Sequence, residues 1–290
     1  MASPQLSVLI VTFNTRDLLL QCLQSVFSDA KRSGRTYRVI VVDNASTDGT
    51  AAAVRAAHPS IELIENPTNV GIAVALNQGL HACADSTHVL IMNSDIKVLP
   101  GTMGPMLDYL DAHAQVAGVS VQLVNPDGSP QKFRTSYGPV LFPERFDRIF
   151  RLRFFGTTFH LGRRALYNED QVGGFDENYF FFNEDLDWSI RAVRRGLIFH
   201  YLPNLPVVHY VGQGRVQNRY RIMSELYPAN LYLYTKFYGR FIASLVHLAQ
   251  QIELSLRLAI LRFRAQENSS EAEAYRAAIE KQRRFLSKVH

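Results

Sequence analysis

Cysteine is scarce in this chain, with two in 290 residues, Cys22 and Cys83, in neither CxxC nor Cys/His spacing. That excludes a disulfide framework, gives no zinc pattern, and suits a reducing compartment such as the cytoplasm. The N-terminus lacks the basic, apolar and small-residue succession of an export signal, and its first apolar run, Leu6 to Val11, is only strand length. Long apolar runs are also missing. The stretch Phe241 to Phe263 is interrupted by Glu253, Arg257 and Arg262, whereas a spanning helix needs about 20 consecutive apolar residues. No base-reading motif is present, so no nucleic acid partner is expected.

What is present is ordinary globular composition, 47% hydrophobic and 20% charged, enough for one large α/β domain with an appendage. The formal charge of +5 is modest, but arginines cluster at 145, 148, 151 and 153, at 191, 194 and 195, and at 215, 219 and 221. Such clusters are usually solvated faces, and they also attract phosphates or an anionic membrane surface.

From the start to Leu123, short β-rich runs alternate with helical stretches. The runs are Leu6–Thr12, Tyr37–Asp43, Ile61–Glu65, His88–Asn93 and Val116–Leu123, with helices expected over Arg16–Phe27, Thr50–Ala57, Ile72–Cys83 and Gly101–Ala114. Alternation of this kind predicts parallel βαβ units in a doubly wound sheet, whose ligands sit beyond the carboxyl ends of the strands. Polar residues fall at those ends: Thr12-Phe13-Asn14, Asp43-Asn44, Asn66 to Gly71, and Asn93-Ser94-Asp95. Turn and cap chemistry accounts for any one of these easily and for all four less comfortably.

Asn125-Pro126-Asp127-Gly128 predicts a turn closing a hairpin. Residues Ser136 to Phe159, rich in Phe and Arg, have no assignable periodicity. After Tyr220 the chain reads as helical, with an aromatic segment Leu226–Tyr238, an apolar segment Phe241–Phe263, and a charged terminal helix Ser270–His290. These helices suit a membrane surface, a second subunit of a homodimer, or packing on the catalytic domain. The expected division is a catalytic domain over residues 1–215 and a helical region over 216–290.

Two acidic elements define the chemistry. Asp95 follows a buried strand, and Asn183-Glu184-Asp185-Leu186-Asp187 opens a helix. A strand-end carboxylate can hold a hard divalent cation against a diphosphate, while a helix-start acid can take a proton from an incoming hydroxyl. This points to group transfer from a nucleotide-activated donor. Asp187 pairs naturally with Arg191 one helical turn on, and Trp188 reads as core.

In their order and spacing, Val11-Thr12-Phe13-Asn14, Val42-Asp43-Asn44-Ala45-Ser46-Thr47-Asp48-Gly49-Thr50, Asn69-Val70-Gly71 with Asn77, Asn93-Ser94-Asp95, Gly173-Gly174-Phe175-Asp176-Glu177, Glu184-Asp185 and His209 resemble the inverting family 2 glycosyltransferases of the GT-A fold. The likeness is to their rhamnosyltransferase-like branch and covers about Ser7 to Gly214. It implies an α/β fold with a mostly parallel sheet, and a nucleoside diphosphate sugar donor, dTDP-rhamnose or a UDP-sugar. The implied acceptor is a saccharide or lipid-linked hydroxyl in surface polysaccharide synthesis, at the inner face of the membrane.

By the same resemblance Thr12, Phe13 and Asn14 hold the nucleoside, Phe13 by stacking, and Asp43 or Asn44 reads the pyrimidine edge. Asn69, Gly71 and Asn77 approach the ribose and diphosphate. Asn93-Ser94-Asp95 stands where the family has its metal-binding DxD element. Asp95 is the direct ligand for Mg²⁺ or Mn²⁺, His209 lies near the metal, and Asn93 replaces the first acid. Asp185 is the base, Glu184 orients acceptor or base, and Gly174 approaches donor sugar or acceptor within a candidate lid. Inverting transfer needs one base, because the metal stabilises the leaving diphosphate. Two other functions share parts of this pattern: a sugar nucleotidyltransferase, which usually needs a glycine-rich loop that Thr12 to Arg16 does not supply, and a non-catalytic nucleotide-sugar-binding scaffold.

Overall fold

The computed structural model describes residues 5–35, 37–131, 158–210, 219–264, 266 and 269–289. The Phe- and Arg-rich segment therefore lies largely outside the described residues, as does the expected boundary at 215 and 216.

Eight strands form one sheet in the order β3-β2-β1-β4-β7-β6-β8-β5. At its heart β1 (Leu6–Thr12) is flanked in parallel by β2 (Tyr37–Asp43) and β4 (His88–Asn93), with β3 (Glu62–Glu65) beyond β2. The helices α1 (Arg16–Ser33), α2 (Thr50–Ala57), α3 (Ile72–Ala82) and α4 (Met103–Ala112) connect these strands and the next.

Helices cover both faces, so β1 is apolar along almost its whole length rather than alternating with polar residues. Leu6, Val8 and Ile10 enter a core with Leu19, Leu23, Met103 and Leu107. Leu9 enters the opposite core with Ala73, Leu76 and Trp188. Both cysteines are buried and free.

The registers decide where the polar strand ends go. Thr12 pairs with Asp43, Val11 with Asn93, and Asp43 with Glu65. Strands in step end in step, so the polar residues expected at four strand ends share one rim.

The other half of the sheet departs from simple alternation. After β6 (Val116–Val124), the strand β7 (Phe159–Arg163) inserts antiparallel between β4 and β6. The expected turn is present: Gly128 N donates to Asn125 O at 2.9 Å, and Gln131 N returns to Leu123 O at 2.9 Å. His209 closes a long strand, β8 (Ile198–His209), parallel to β6. Pro203 and Pro206 disguise it in sequence, and the β6–β8 ladder shifts register between Val121 and Leu123. Three residues after Asn93, β5 (Ile96–Val98) pairs antiparallel with the end of β8, Ile96 opposite His209.

Among the described residues three more helices follow: α5 (Glu184–Arg194), α6 (Arg219–Phe263) and α7 (Ser270–Val289). Gly239, at φ 81° and ψ 170°, breaks α6 into two arms, at the gap between the aromatic and apolar segments read from the sequence. The first arm packs Ala229 and Leu233 against Tyr179 and against Leu186 and Ile190 of α5. The second arm packs Leu254 and Leu261 against Ala272, Tyr275 and Ala278 of α7.

Candidate active site

The rim begins with a chain of hydroxyls. Thr12 Oγ1 lies 2.8 Å from Thr15 Oγ1, which lies 2.8 Å from Ser94 Oγ, so the ends of β1 and β4 are tied together. Asn14, with φ 54°, receives a hydrogen bond on Oδ1 from Thr47 N at 2.7 Å, and its own N donates to Ser46 Oγ at 2.8 Å. Asp43 Oδ1 accepts from Ser46 N at 3.1 Å. Phe13 is half-buried at this edge rather than sunk in the core. Asp48 ties two helix starts, accepting from Arg16 N at 3.0 Å and from Thr50 N at 3.1 Å.

Asn44 and Asn77 sit differently from the expectation that they touch donor. Asn44 is 4% exposed. Its Nδ2 donates to Asn69 Oδ1 and Gly71 O, and its Oδ1 accepts from Asn66 Nδ2 and Val70 N. Two donors and two acceptor positions are thereby filled. Asn44 holds the 66–71 loop in shape, and Asp43 beside it is equally buried, at 3% exposed, with Oδ1 accepting from Ser46 N. Asn69 Oδ1 also accepts from Gly71 N at 3.1 Å, a local turn.

Asn77 clamps the backbone of Phe175, accepting from its N at 2.8 Å and donating to its O at 2.9 Å. Gly174 permits this approach, because a Cβ there would lie 2.6 Å from Asn77 Oδ1. Trp188 Nε1 donates to Gly173 O at 2.9 Å and Arg191 Nη2 to Gly174 O at 2.6 Å. The turn expected as a lid is thus pinned by three side chains. Trp188, 2% exposed, is core as expected.

Asp95 and His209 are brought together by the β5–β8 pairing. Tyr210 N donates to Asp95 O at 2.9 Å, and His209 Nε2 lies 3.3 Å from Asp95 Oδ1. Gln131 holds the histidine from behind: His209 Nδ1 is 2.9 Å from Gln131 Oε1, and Gln131 Nε2 donates to His209 O at 2.8 Å. A proton on Nδ1 for Gln131 leaves the Nε2 lone pair toward Asp95, the tautomer a metal-binding imidazole needs. Asn93 is exposed beside them and Ser94 is buried. One carboxylate and one imidazole suit Mg²⁺ or Mn²⁺ completed by phosphate oxygens. Among the described residues no group of three or more His, Cys, Asp or Glu could hold a metal by itself.

The second acidic element joins the rim through Ile72 N, which donates to Phe180 O at 2.8 Å. Two consecutive non-glycine residues of positive φ, Phe182 at 70° and Asn183 at 66°, then turn the chain into α5. Such conformations persist where surroundings over-determine them, often at functional sites. Here Asn183 is fully buried and its Nδ2 donates to Asn230 Oδ1 at 2.9 Å.

The two acids that follow have unlike surroundings. Glu184 is buried, with Oε2 lacking a hydrogen-bond partner, and burial together with the Asp185 charge raises its pKa well above the ordinary glutamate value. Asp185 is half-buried, its Oδ1 accepting from Leu186 N at 2.7 Å. Environments that push two neighbouring carboxyls apart assign the proton to one and the charge to the other. Burial and the adjacent Asp185 thus favour the protonated form of Glu184.

Sequence reading did not find Lys236. Its Nζ lies 2.6 Å from both Asp176 and the fully buried Asp187, and Asp187 also pairs with Arg191 at 2.7 Å. The signal available was a solitary lysine within the aromatic run Leu226–Tyr238. Burial alone would raise the Asp176 pKa, but hydrogen bonds from Lys236, Asn178 and Tyr232 outweigh it and hold the carboxyl at about 2. Between segment 178–181 and the C-terminal helices lies a groove of about 410 Å³, lined by Tyr179, Phe181, Tyr232, Lys281 and Phe285 among others.

A mostly parallel sheet, polar residues gathered at its carboxyl edge and an acid pair opening a later helix define a GT-A glycosyltransferase. Residues 7–171 match the family model described as Glycosyl transferase family 2, and the chain belongs to that family. Its sequence is rhamnosyltransferase-like. It is 27% identical over 237 residues to the N-acetylglucosaminyl-diphospho-decaprenol L-rhamnosyltransferase of Mycobacterium tuberculosis, covering 71% of this chain and 76% of that one. It is 22% identical over 227 residues to rhamnosyltransferase WbbL of Escherichia coli, covering 70% and 82%. Among solved structures, a mannosyltransferase from Pyrobaculum calidifontis in complex with GDP-Man and Mn²⁺ has the same fold, with a TM-score of 0.58 and 20% identity over 96% of this chain and 87% of that one.

Proposed function

We propose that this glycosyltransferase is an inverting, metal-dependent enzyme that moves a sugar, L-rhamnose before others, from a nucleoside diphosphate to a hydroxyl of a lipid-linked saccharide. Such a reaction belongs to surface polysaccharide synthesis at the inner face of the membrane. The observations that support the reading are the pairing of Asp95 with His209 after β4 and the unlike neighbours Glu184 and Asp185 opening α5, on a segment tied to the rim through Ile72 N. The names of the mycobacterial and Escherichia coli relatives favour rhamnose, and that of the former favours a diphosphate-linked lipid acceptor.

In this reading Phe13 offers a ring face to the base, and Asp43 accepts an imide N–H. Thr12, Asn14, Asn69, Gly71, Asn93 and Ser94 shape the ribose and diphosphate floor, with Asn44 and Asn77 holding that floor from behind. Asp95 and His209 would hold a divalent cation, which neutralises charge on the departing diphosphate when bound. Asp185 takes the proton from the acceptor hydroxyl. Protonated Glu184 offers an O–H to orient the acceptor or Asp185 without adding a second negative charge. The aromatic groove beside segment 178–181 supports an acceptor approaching from the side of the C-terminal helices.

The test is turnover with dTDP-rhamnose or UDP-sugars, a saccharide acceptor and Mn²⁺, with products identified. Nucleoside diphosphate and an inverted anomeric product are expected. Pyrophosphate as the product would assign the chain to nucleotidyl transfer instead, and failure to bind any nucleotide with or without Mn²⁺ would leave it a scaffold.

A further inference from the structure

The second arm of α6 presents two unlike sides. Its inner side is covered, with Ala243, Val246, Leu254 and Leu261 buried in the cores that the C-terminal helices share. Its outer side carries Phe241, Leu245, Leu248, Ile252, Leu256 and Ile260, ending in Phe263. Spaced by three or four residues, these seven are 50–94% exposed. At helical rise the stripe is about 33 Å long, and single scattered apolar residues would need no explanation, whereas a continuous band does.

Charge decides what covers it. Between Arg240 and Arg264 the one acid is Glu253, which is buried and paired with Arg257 at 2.8 Å on the inner side. The rest of the exposed side is Ser244, Ser255 and Ala259, with exposed Arg240 at one end and exposed Arg262 and Arg264 at the other. A second copy laid along this stripe, parallel or antiparallel, would bring arginine ends together, and the stripe itself carries no acid to offset them. Residues 219–290 as a whole hold twelve Lys and Arg against six Glu, whereas the first 218 residues hold nineteen against twenty acids. Crossing a bilayer is ruled out for this arm, since among the described residues no helix is long and apolar enough to span.

We propose that this face lies flat on an anionic lipid surface, Phe241 to Phe263 entering the headgroup boundary and Arg240, Arg262 and Arg264 meeting the lipid phosphates. The inference is independent of which sugar the rim transfers. It is tested with the full chain by co-sedimentation with vesicles of phosphatidylcholine, alone or mixed with phosphatidylglycerol, alongside sedimentation equilibrium without lipid. Partition onto the mixed vesicles should be at least about tenfold stronger and should weaken with salt.

Leu248→Asp with Leu256→Asp should abolish that partition while circular dichroism and nucleotide binding at the rim stay unchanged. Arg262→Glu with Arg264→Glu, which leaves the apolar band intact, should remove most of the preference for anionic lipid. Equal partition onto both vesicle types, no partition of the wild type, or a dimer that the Leu248→Asp, Leu256→Asp variant dissociates would each overturn the proposal.

Discussion

Asn77 pairs with the backbone of Phe175 as one peptide group pairs with another, its amide oxygen 2.8 Å from the N and its amide nitrogen 2.9 Å from the O. A side chain on α3 thereby completes the turn that precedes the acid pair, and Gly174 lies against it with no room for a methyl group. Gly174→Ala is expected to displace Asn77 and lower kcat about tenfold or more through misplacement of the rim. Asn77→Ala should have a similar effect. Combining the two should cost clearly less than their product, because the second substitution removes the atom with which the first collides. Steady-state kinetics on the three variants measures this coupling.

Asp185→Asn preserves the acceptor oxygen used by Leu186 N but cannot take a proton. Turnover should fall by about 10²–10⁴-fold with nucleotide binding and the melting temperature nearly unchanged. Retained turnover would remove Asp185 as the base.

Glu184 gives a stability signature of its own. Its folded pKa is raised, so between the ordinary glutamate value and that raised value the folded chain binds more protons than the unfolded one. Stability therefore falls as pH rises through this window. Glu184→Gln should melt close to the wild type at pH 4 and above it at pH 8, by roughly 3 °C. A gap that is constant with pH would count against a protonated Glu184.

Gln131 fixes the ring of His209 through its side-chain amide. Its replacement, Gln131→Leu, should raise the Mn²⁺ concentration for half-maximal activity by about tenfold, and Asp95→Asn should raise it further. Metal titrations of activity and of nucleotide affinity test both variants. An unchanged metal requirement in Asp95→Asn would place the cation elsewhere.

Lys236 sits between two carboxylates, and Lys236→Met should cost about 3 kcal/mol at neutral pH by leaving the buried Asp187 with Arg191 and the Tyr179 hydroxyl. Part of the cost should vanish as pH falls toward 2. Asp176, held at about 2 in the folded chain, contributes stability above the ordinary aspartate value and loses it as it takes up a proton. Urea titrations across pH follow the difference.

The parallel half of the fold was legible because each strand carries its own signal: apolar runs such as Leu6–Thr12 and Tyr37–Asp43, closed by polar residues. Helix starts and the break near Gly239 were legible for the same local reason. The antiparallel half was not. The placing of β7 between β4 and β6 is a long-range choice with no local mark, and the prolines of β8 argue against a strand that its neighbours nonetheless stabilise. Among site residues, position along the chain revealed which ones reach the rim but not which way each amide turns. Asn44 and Asp43 are adjacent in sequence and equally buried, yet the amide is filled by four protein hydrogen bonds while the carboxylate takes one from Ser46 N. Lys236 and Gln131 act on residues far away in the chain, and nothing beside them in sequence announces it.

One residue turns the chain between the two C-terminal arms. At φ 81° and ψ 170°, Gly239 adopts a backbone shape open to glycine and strained for any residue with a side chain. Upstream of it lies the arm whose Lys236 braces α5, and downstream the arm with the bare apolar band. The bearing of the apolar band relative to the acid pair is thereby set where Gly239 turns the chain, and it is held by Tyr227, Leu231 and Tyr234 of the first arm packed against the second. A side chain at 239 would strain that turn and is expected to shift the band relative to Lys236.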